Sequence, residues 1–235
     1  MVSRGADTAA SAPDGCDDGG MPWHPRLRAE LVDALRAVPP DAPTLCEGWQ
    51  ARHLAAHVAL RESSARVSAG LAVPALAGVA ERAIEDLADT ATDDEGYAAL
   101  LARVADGPSR WHPLALAGDA ANLVELYVHT EDVRRGAGPA AERALEPGLV
   151  DALWDDVRRF ARARTLRVPV GLVVVRADGV RTRVRGPKPG HGTVVVRGGA
   201  GELVLWLSGR GAAAQIVAQG DPADVAALGE RLPLS

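Results

Sequence analysis

A chain of 235 residues, 47% apolar and 24% charged, is long enough for one large domain or two modest ones with a sizeable core. Mean hydropathy is near zero (−0.01), no apolar run approaches the roughly 18–20 residues of a membrane helix, and the acidic, Gly-rich N-terminus lacks the basic start and apolar stretch of a signal peptide. Cys16 and Cys46 form neither a CxxC pair nor a disulfide framework, so the expectation is a reduced, cytoplasmic protein.

The 25 arginines against one lysine, Lys188, together with heavy use of Ala and Gly, are the mark of a GC-rich bacterial genome and say little about chemistry. The net charge of −5 hides a split: residues 1–21 carry −3, 22–157 carry −10, 158–197 carry +10 and the remainder −2. An acidic body joined to a basic segment suggests two modules.

Residues 1–21 are small, polar and acidic without hydrophobic period, and a disordered tail is expected there. Folded-looking sequence begins right after Met21, which makes Met21 a candidate natural start. Leu27, Leu31, Leu35 and Val38 stripe a first helix that Pro39-Pro40 ends. Further helices are predicted over about 50–71, after Pro74, over 94–105, over 119–135 and over 147–164, with short breaks that favour antiparallel neighbours in a bundle. Beyond Arg167 the period becomes extended: strands are predicted over Val168–Arg176, Val180–Arg185, Thr193–Arg197 and Glu202–Leu207. A short strand after Ala212 and a helix capped by Asp221 complete the tail. The fold class is therefore a two-module one, a helical bundle followed by a small α+β domain.

In the fifth helix, Glu125 and His129 are four residues apart and project from one face, with Asn122 and Asp132 extending the same polar stripe. Glu and His at this spacing are how bundles present metal ligands to their interiors; an ordinary solvated face is equally open on this pair alone. His57 on the second helix lies among small apolar residues, a poor place for an unpaired imidazole, and is either a hydrogen-bonded core residue or a ligand. His53, one turn earlier, makes an H-x-x-x-H pair that could also bind metal. His57, Glu125 and His129 together supply a His₂Glu set, familiar for catalytic zinc, that leaves a coordination position open; ligand type alone does not separate zinc from nickel, iron or manganese. His24, His112 and His191 lie near chain breaks without partners at ligand spacing and read as surface residues.

The segment Pro43-Thr-Leu-Cys46-Glu-Gly48-Trp49 with Leu54-Ala-Ala-His57, together with Asn122-Leu-Val-Glu125, His129 and Glu131-Asp132-Val-Arg-Arg135, resembles the actinobacterial metal-binding family related to mycothiol-dependent maleylpyruvate isomerase, in the wider DinB-like superfamily. Trp206-Leu-Ser-Gly-Arg210 and Gly220-Asp-Pro also fit, so the resemblance runs from about Met21 to the C-terminus. It implies a DinB-like four-helix metal-binding domain over 22–165 and a small domain similar to sterol carrier protein 2 over 166–235, with the family's metal triad falling on His57, Glu125 and His129. Two positions depart from the family: Gln50 and His53 stand where relatives carry Ser or Thr and an acidic residue, the pair that makes a capping box. Helix two is therefore expected to start differently, with His53 in a structural role. His112 also stands where relatives more often carry a small polar residue.

Arg181, Arg183 and Arg185 alternate along one strand face. A solvated face, an anion-binding wall and nucleic-acid binding are the three readings, the last least supported because interleaved aromatics and recognition motifs are missing. Arg210, placed at the end of the predicted 202–207 strand, is either a surface arginine or, by the resemblance, a group that holds an anionic thiol or substrate. The expected function is a divalent-metal-dependent, mycothiol-dependent isomerase or thiol S-transferase acting on a small, maleylpyruvate-like electrophile, with zinc and mycothiol as cofactors and neither nucleic acid nor membrane as partner. The alternative is a non-catalytic metal- or ligand-binding protein on the same fold.

Overall fold

The computed structural model describes residues 21–64, 67, 68, 70 and 73–234. The expected disordered tail up to Gly20, Cys16 included, lies outside the described residues, as does Leu71, where the second predicted helix ends.

Helix α1 (Trp23–Arg36) buries the predicted stripe, with Leu27, Leu31 and Leu35 fully inside, and lies against helix α6 (Asp119–Arg134). Its start is fastened there by Asp119, whose carboxylate accepts from the Trp23 and His24 backbone N–H groups at 2.8 and 2.7 Å and lies 2.7 Å from His24 Nδ1. His24 is thus half-buried and partnered, which corrects its reading as a plain surface residue.

Helix α2 (Ala51–Ser63) is buried over most of its surface, His53, His57 and Glu62 included, as suits a helix enclosed by neighbours. Its start needs no Ser or Thr cap. Ala51 and Arg52 donate to the carbonyls of Ala42 and Pro40 at 2.8 and 2.9 Å, so the loop before the helix satisfies donors that a cap would otherwise take. His53 Nδ1 accepts from the Gln50 backbone N–H at 3.2 Å, doing what the missing acidic residue does in a capping box. The helix ends at Ser63, well short of the predicted 71. Serine hydroxyls compete here for helical carbonyls, Ser63 with Ala59 (2.7 Å) and Ser68 with Arg61 (2.6 Å).

A 3₁₀ turn (Pro74–Leu76) leads into α3 (Ala77–Asp89), followed by α4 (Asp94–Asp106), the five-residue α5 (Pro113–Ala117), α6 and α7 (Pro147–Arg164). His112, expected as a partnerless surface residue, caps α5 by accepting from the Leu114 N–H at 3.3 Å.

The sheet has the order β2-β1-β3-β4, from β1 (Gly171–Arg176), β2 (Arg181–Arg185), β3 (Thr193–Gly198) and β4 (Ile216–Gln219). β1 pairs antiparallel with β2 and parallel with β3, and β4 closes antiparallel on β3. Leu172, Val174, Val194 and Val196 fill the inner face. Arg181 and Arg183 stand exposed on the edge strand β2, where charge discourages strand addition; Arg185 donates to the Thr165 carbonyl. His191, the other histidine read as surface, faces Asp224 at 3.0 Å and helps join the loop before β3 to helix α9 (Pro222–Gly229).

The strand predicted over Glu202–Leu207 is a helix, α8 (Ala200–Leu205), running on into a wide π-type turn over Trp206–Arg210. Residues 200–207 are buried throughout, and a short apolar run buried on all sides has no periodicity by which to tell helix from strand. The fourth strand is the tail's short one. Buried apolar side chains from the helices and from the sheet form one continuous cluster, an α+β arrangement. Among the described residues no helix is long and apolar enough to cross a membrane.

Candidate metal centre

Two helices supply the centre. α2 offers His57 and, one turn on, Arg61; α6 offers Asn122, Glu125, His129 and Asp132 at three- and four-residue intervals, hence on adjoining faces. His57 Nε2 lies 3.0 Å from Glu125 Oε1, and His129 Nε2 lies 3.3 Å from the same oxygen. One ligand atom from each of the three residues falls within 4.8 Å of the other two. The imidazoles are buried, meet edge to face with centroids 5.0 Å apart, and Trp49 packs against His57 at 5.2 Å.

A proton count tests whether a cation suits this junction. Asp132, fully buried, accepts two hydrogen bonds from Arg210, Nε to Oδ1 at 2.9 Å and Nη2 to Oδ2 at 2.8 Å. Burial alone raises its pKa, but His129 and Arg210 outweigh that and hold it at about 2. An ionised Asp132 2.9 Å from His129 Nδ1 requires the proton to sit on Nδ1. A neutral His129 then aims the lone pair of Nε2 at the carboxylate oxygen of Glu125, and two electron-rich atoms at 3.3 Å call for a positive charge between them. Without a metal that charge is a proton: burial disfavours the imidazolium, yet Glu125 and Asp132 outweigh it and push His129 well above the usual histidine range.

A divalent cation meets the same need. Ligand atoms about 2.0–2.1 Å from one tetrahedral ion are about 3.3–3.4 Å apart, close to the 3.0 and 3.3 Å separations found here. His57 is already suited to ligation, since burial lowers its pKa and favours the neutral ring. Glu125 is raised by burial but held well below the carboxylate range by His129, His57 and Arg61. The donor set therefore suits zinc or a similar divalent ion.

Asp132 behind His129 is the carboxylate–histidine support usual for a metal-bound imidazole, and Arg210 supports Asp132 in turn. Arg210 leaves the π-type turn directly after Gly209, whose φ of 87° is open to glycine. It is not at a strand end as expected, but it does face the centre. Its Nη1 donates to the Ser208 carbonyl at 2.7 Å, and Nη2 also reaches Cys46 Sγ at 3.3 Å. Cys46, His129 and Asp132 also cluster, but Asp132 is claimed by Arg210 and His129 reaches this group through Nδ1, so the trio is scaffolding for the first.

His53 stays apart, occupied by the Gln50 N–H and 3.7 Å from Glu85. Sequence reading missed Arg61, which lies 3.3 Å from Glu125 Oε1 and donates to Asn122 Oδ1 and the Ala121 carbonyl. Its position four after His57 was the available signal. Around the trio opens a cleft of about 520 Å³, walled by Cys46, Trp49, Arg61, Leu114 and Arg210.

Fold and site together define an α+β protein with a candidate His₂Glu centre at the meeting of two helices. No protein-family model matches the chain, and no curated protein matches it. Two solved structures are similar to it: a mutant of the mycothiol-dependent maleylpyruvate isomerase in which a histidine is replaced by alanine (17% identity, TM-score 0.47) and the mycothiol-dependent maleylpyruvate isomerase itself (16%, 0.45), each over 83% of this chain and 89% of the other.

Proposed function

We propose that this protein is a divalent-metal-dependent enzyme, with zinc as the ion, that uses mycothiol to isomerise or conjugate a small electrophile of the maleylpyruvate type. The observation carrying this reading is the Glu125 oxygen set 3.0 and 3.3 Å from two imidazole nitrogens, one of which has its other nitrogen committed to Asp132. The motifs around Cys46–His57 and Asn122–Arg135 support it from the sequence side. With them comes the family's arrangement of a DinB-like bundle over 22–165 and a sterol-carrier-protein-2-like domain over 166–235, working in the reduced cytoplasm.

A cation bound at this centre supplies the Lewis acidity that favours thiolate over thiol at neutral pH. The chain's own residues provide the rest. His57, Glu125 and His129 are the ligands; Asp132 keeps the His129 proton on Nδ1 and so leaves Nε2 free to ligate. Arg61 steadies Glu125 from the α2 side. Arg210 keeps Asp132 ionised, and its guanidinium edge in the cleft is where a substrate carboxylate would be oriented. Neither cysteine is needed as nucleophile, because the thiol arrives with the cosubstrate.

One observation favours the alternative, a non-catalytic metal- or ligand-binding protein: Arg210 already spends Nε and Nη2 on Asp132. A single experiment separates the two. Purified full-length protein is assayed for zinc and then offered maleylpyruvate with and without mycothiol. About one zinc per chain and mycothiol-dependent conversion are expected; zinc without conversion of any of a panel of electrophiles selects the binding reading, and absence of both bound metal and conversion defeats both.

A further inference from the structure

Glu125 lines a second cavity besides the cleft, and this one differs in character. It measures about 220 Å³, and its walls come largely from Ala121, Val124, Val157, Phe160, Val204 and Leu207. Val157, Val204 and Leu207 are buried, whereas Phe160, the chain's one phenylalanine, is 44% exposed at its edge and so adds little to the core. Polar groups are few: Asp156, already joined to Arg159 at 2.7 Å, Arg164, Ser208 and Glu125 itself. The π-type turn also touches both spaces, through Ser208 on this side and Arg210 on the other. The two spaces therefore adjoin at the candidate centre.

Their chemistry divides the labour. The cleft is wide and lined by Arg61, Arg210, Ser68 and Cys46, which suits a hydrophilic thiol. The smaller cavity is apolar and too confined for such a molecule, but an apolar cavity of about 150 Å³ already admits a benzene ring, and largely apolar walls with few polar groups are the usual form of a small-ligand site.

We propose that this cavity receives the apolar arm of the electrophile, a single phenyl ring or a short alkyl chain, while the reacting carbon lies beside Glu125 at the centre. The proposal rests on the reading of the trio as a thiol-using metal centre. It extends the substrate class of that reading beyond a compact diacid, which leaves the cavity empty, to unsaturated carbonyl compounds bearing one apolar substituent.

The test uses full-length, zinc-loaded protein and two neutral ketones without a double bond conjugated to the carbonyl, which therefore cannot undergo conjugate addition of a thiol: 4-phenyl-2-butanone and 2-butanone, titrated by NMR. The phenyl ketone should bind at least about tenfold more tightly. Ala121→Leu, which fills the half-buried wall, should bring the ratio close to one with zinc content and circular dichroism unchanged; Ala120→Leu, from the exposed rim, gives a second filling variant should the first not fold. Equal binding of both ketones by the native protein, or a preference that survives filling, overturns the proposal. His57→Ala separates it from the metal reading. A phenyl preference kept after zinc is lost supports the cavity on its own, and a preference lost there places the ring in the cleft and overturns it. Zinc retention with no thiol chemistry, but with the preference intact, defeats the functional reading alone.

Discussion

Helix α6 carries two clusters of buried charge, little more than one turn apart, built on opposite principles. In the later one, Arg135 donates to Glu131 at 2.7 Å, to Glu202 at 2.6 and 3.1 Å and to the Ala213 carbonyl at 2.6 Å. Glu131 takes further cations from Arg134 and Arg143 at 2.6 and 2.7 Å, and Glu202 accepts from the Gln215 N–H. Every carboxylate oxygen of Glu131 and Glu202 meets an arginine or a backbone N–H, so this cluster is closed and fastens α8 to α6. In the earlier one, a carboxylate oxygen faces two imidazole nitrogens, and with His129 neutral a lone pair opposes a negative charge, so a proton or a cation has to lie between them. Both clusters reach to the 200–210 segment, one through Glu202 and one through Arg210. The difference teaches that buried charge by itself does not mark a functional site; the candidate centre is singled out by one carboxylate oxygen shared between two imidazole nitrogens, a geometry that a cation fits as well as a proton.

The largest effect should come from breaking the open cluster. His57→Ala or His129→Ala should reduce metal retention by more than the roughly 10- to 100-fold that loss of a supporting group costs, to undetectable levels in purified protein by mass spectrometry of the metal. Full zinc content in either variant would sink the ligand assignment. The closed cluster should respond in stability instead. Arg135→Ala leaves Glu131 and Glu202 buried with less counter-charge, at a cost of about 3–5 kcal/mol, read by thermal or urea unfolding, with metal per folded chain unchanged.

Asp132→Asn sharpens the comparison from the supporting side. It keeps the shape but removes the charge behind His129, and zinc affinity measured by chelator competition should fall about 10- to 100-fold with zinc still bound at saturation. Asp132 also sets an acid limit. Its folded pKa lies at about 2 against an ordinary 3.8, so near pH 3 the unfolded chain binds more protons and unfolding is favoured as pH falls. The stabilisation is complete above about pH 4 and lost towards pH 2, about 2 kcal/mol in all. Denaturant midpoints across this range should show that slope in the native protein and a shallower one in Asp132→Asn. The smallest effect belongs to His112→Ala: loss of one cap, about 1 kcal/mol or less, and no change in metal. If His112→Ala lost metal as fully as the other two variants, the wrong histidines would have been chosen.

Much of the helical architecture was legible because its signals are local. The Leu27, Leu31, Leu35 stripe, Pro39-Pro40 and the Asp221 cap depend on neighbours along the chain, and α6 and α7 fall within about a residue of their predicted spans. Helix α2 begins where predicted, with carbonyls of Pro40 and Ala42 taking its first donors, but it ends at Ser63 rather than 71, where serine hydroxyls compete for its carbonyls. The partners of His24 and His191 lie 95 and 33 residues away in sequence, beyond any spacing rule.

The sequence by itself determined that Glu125 and His129 share a helix face with Asp132 beside them, because four- and three-residue intervals leave no other arrangement on an α-helix. It also marked His57 as an imidazole in need of a partner among alanines. Tertiary structure alone decided that His57 and His129 converge on one Glu125 oxygen, that Arg210 backs Asp132 and that residues 200–207 coil. Each of these turns on which surfaces are pressed together. Burial on every side erases the periodicity that would have announced the last, and the energy that selects one contact over another is exchanged between segments far apart along the chain.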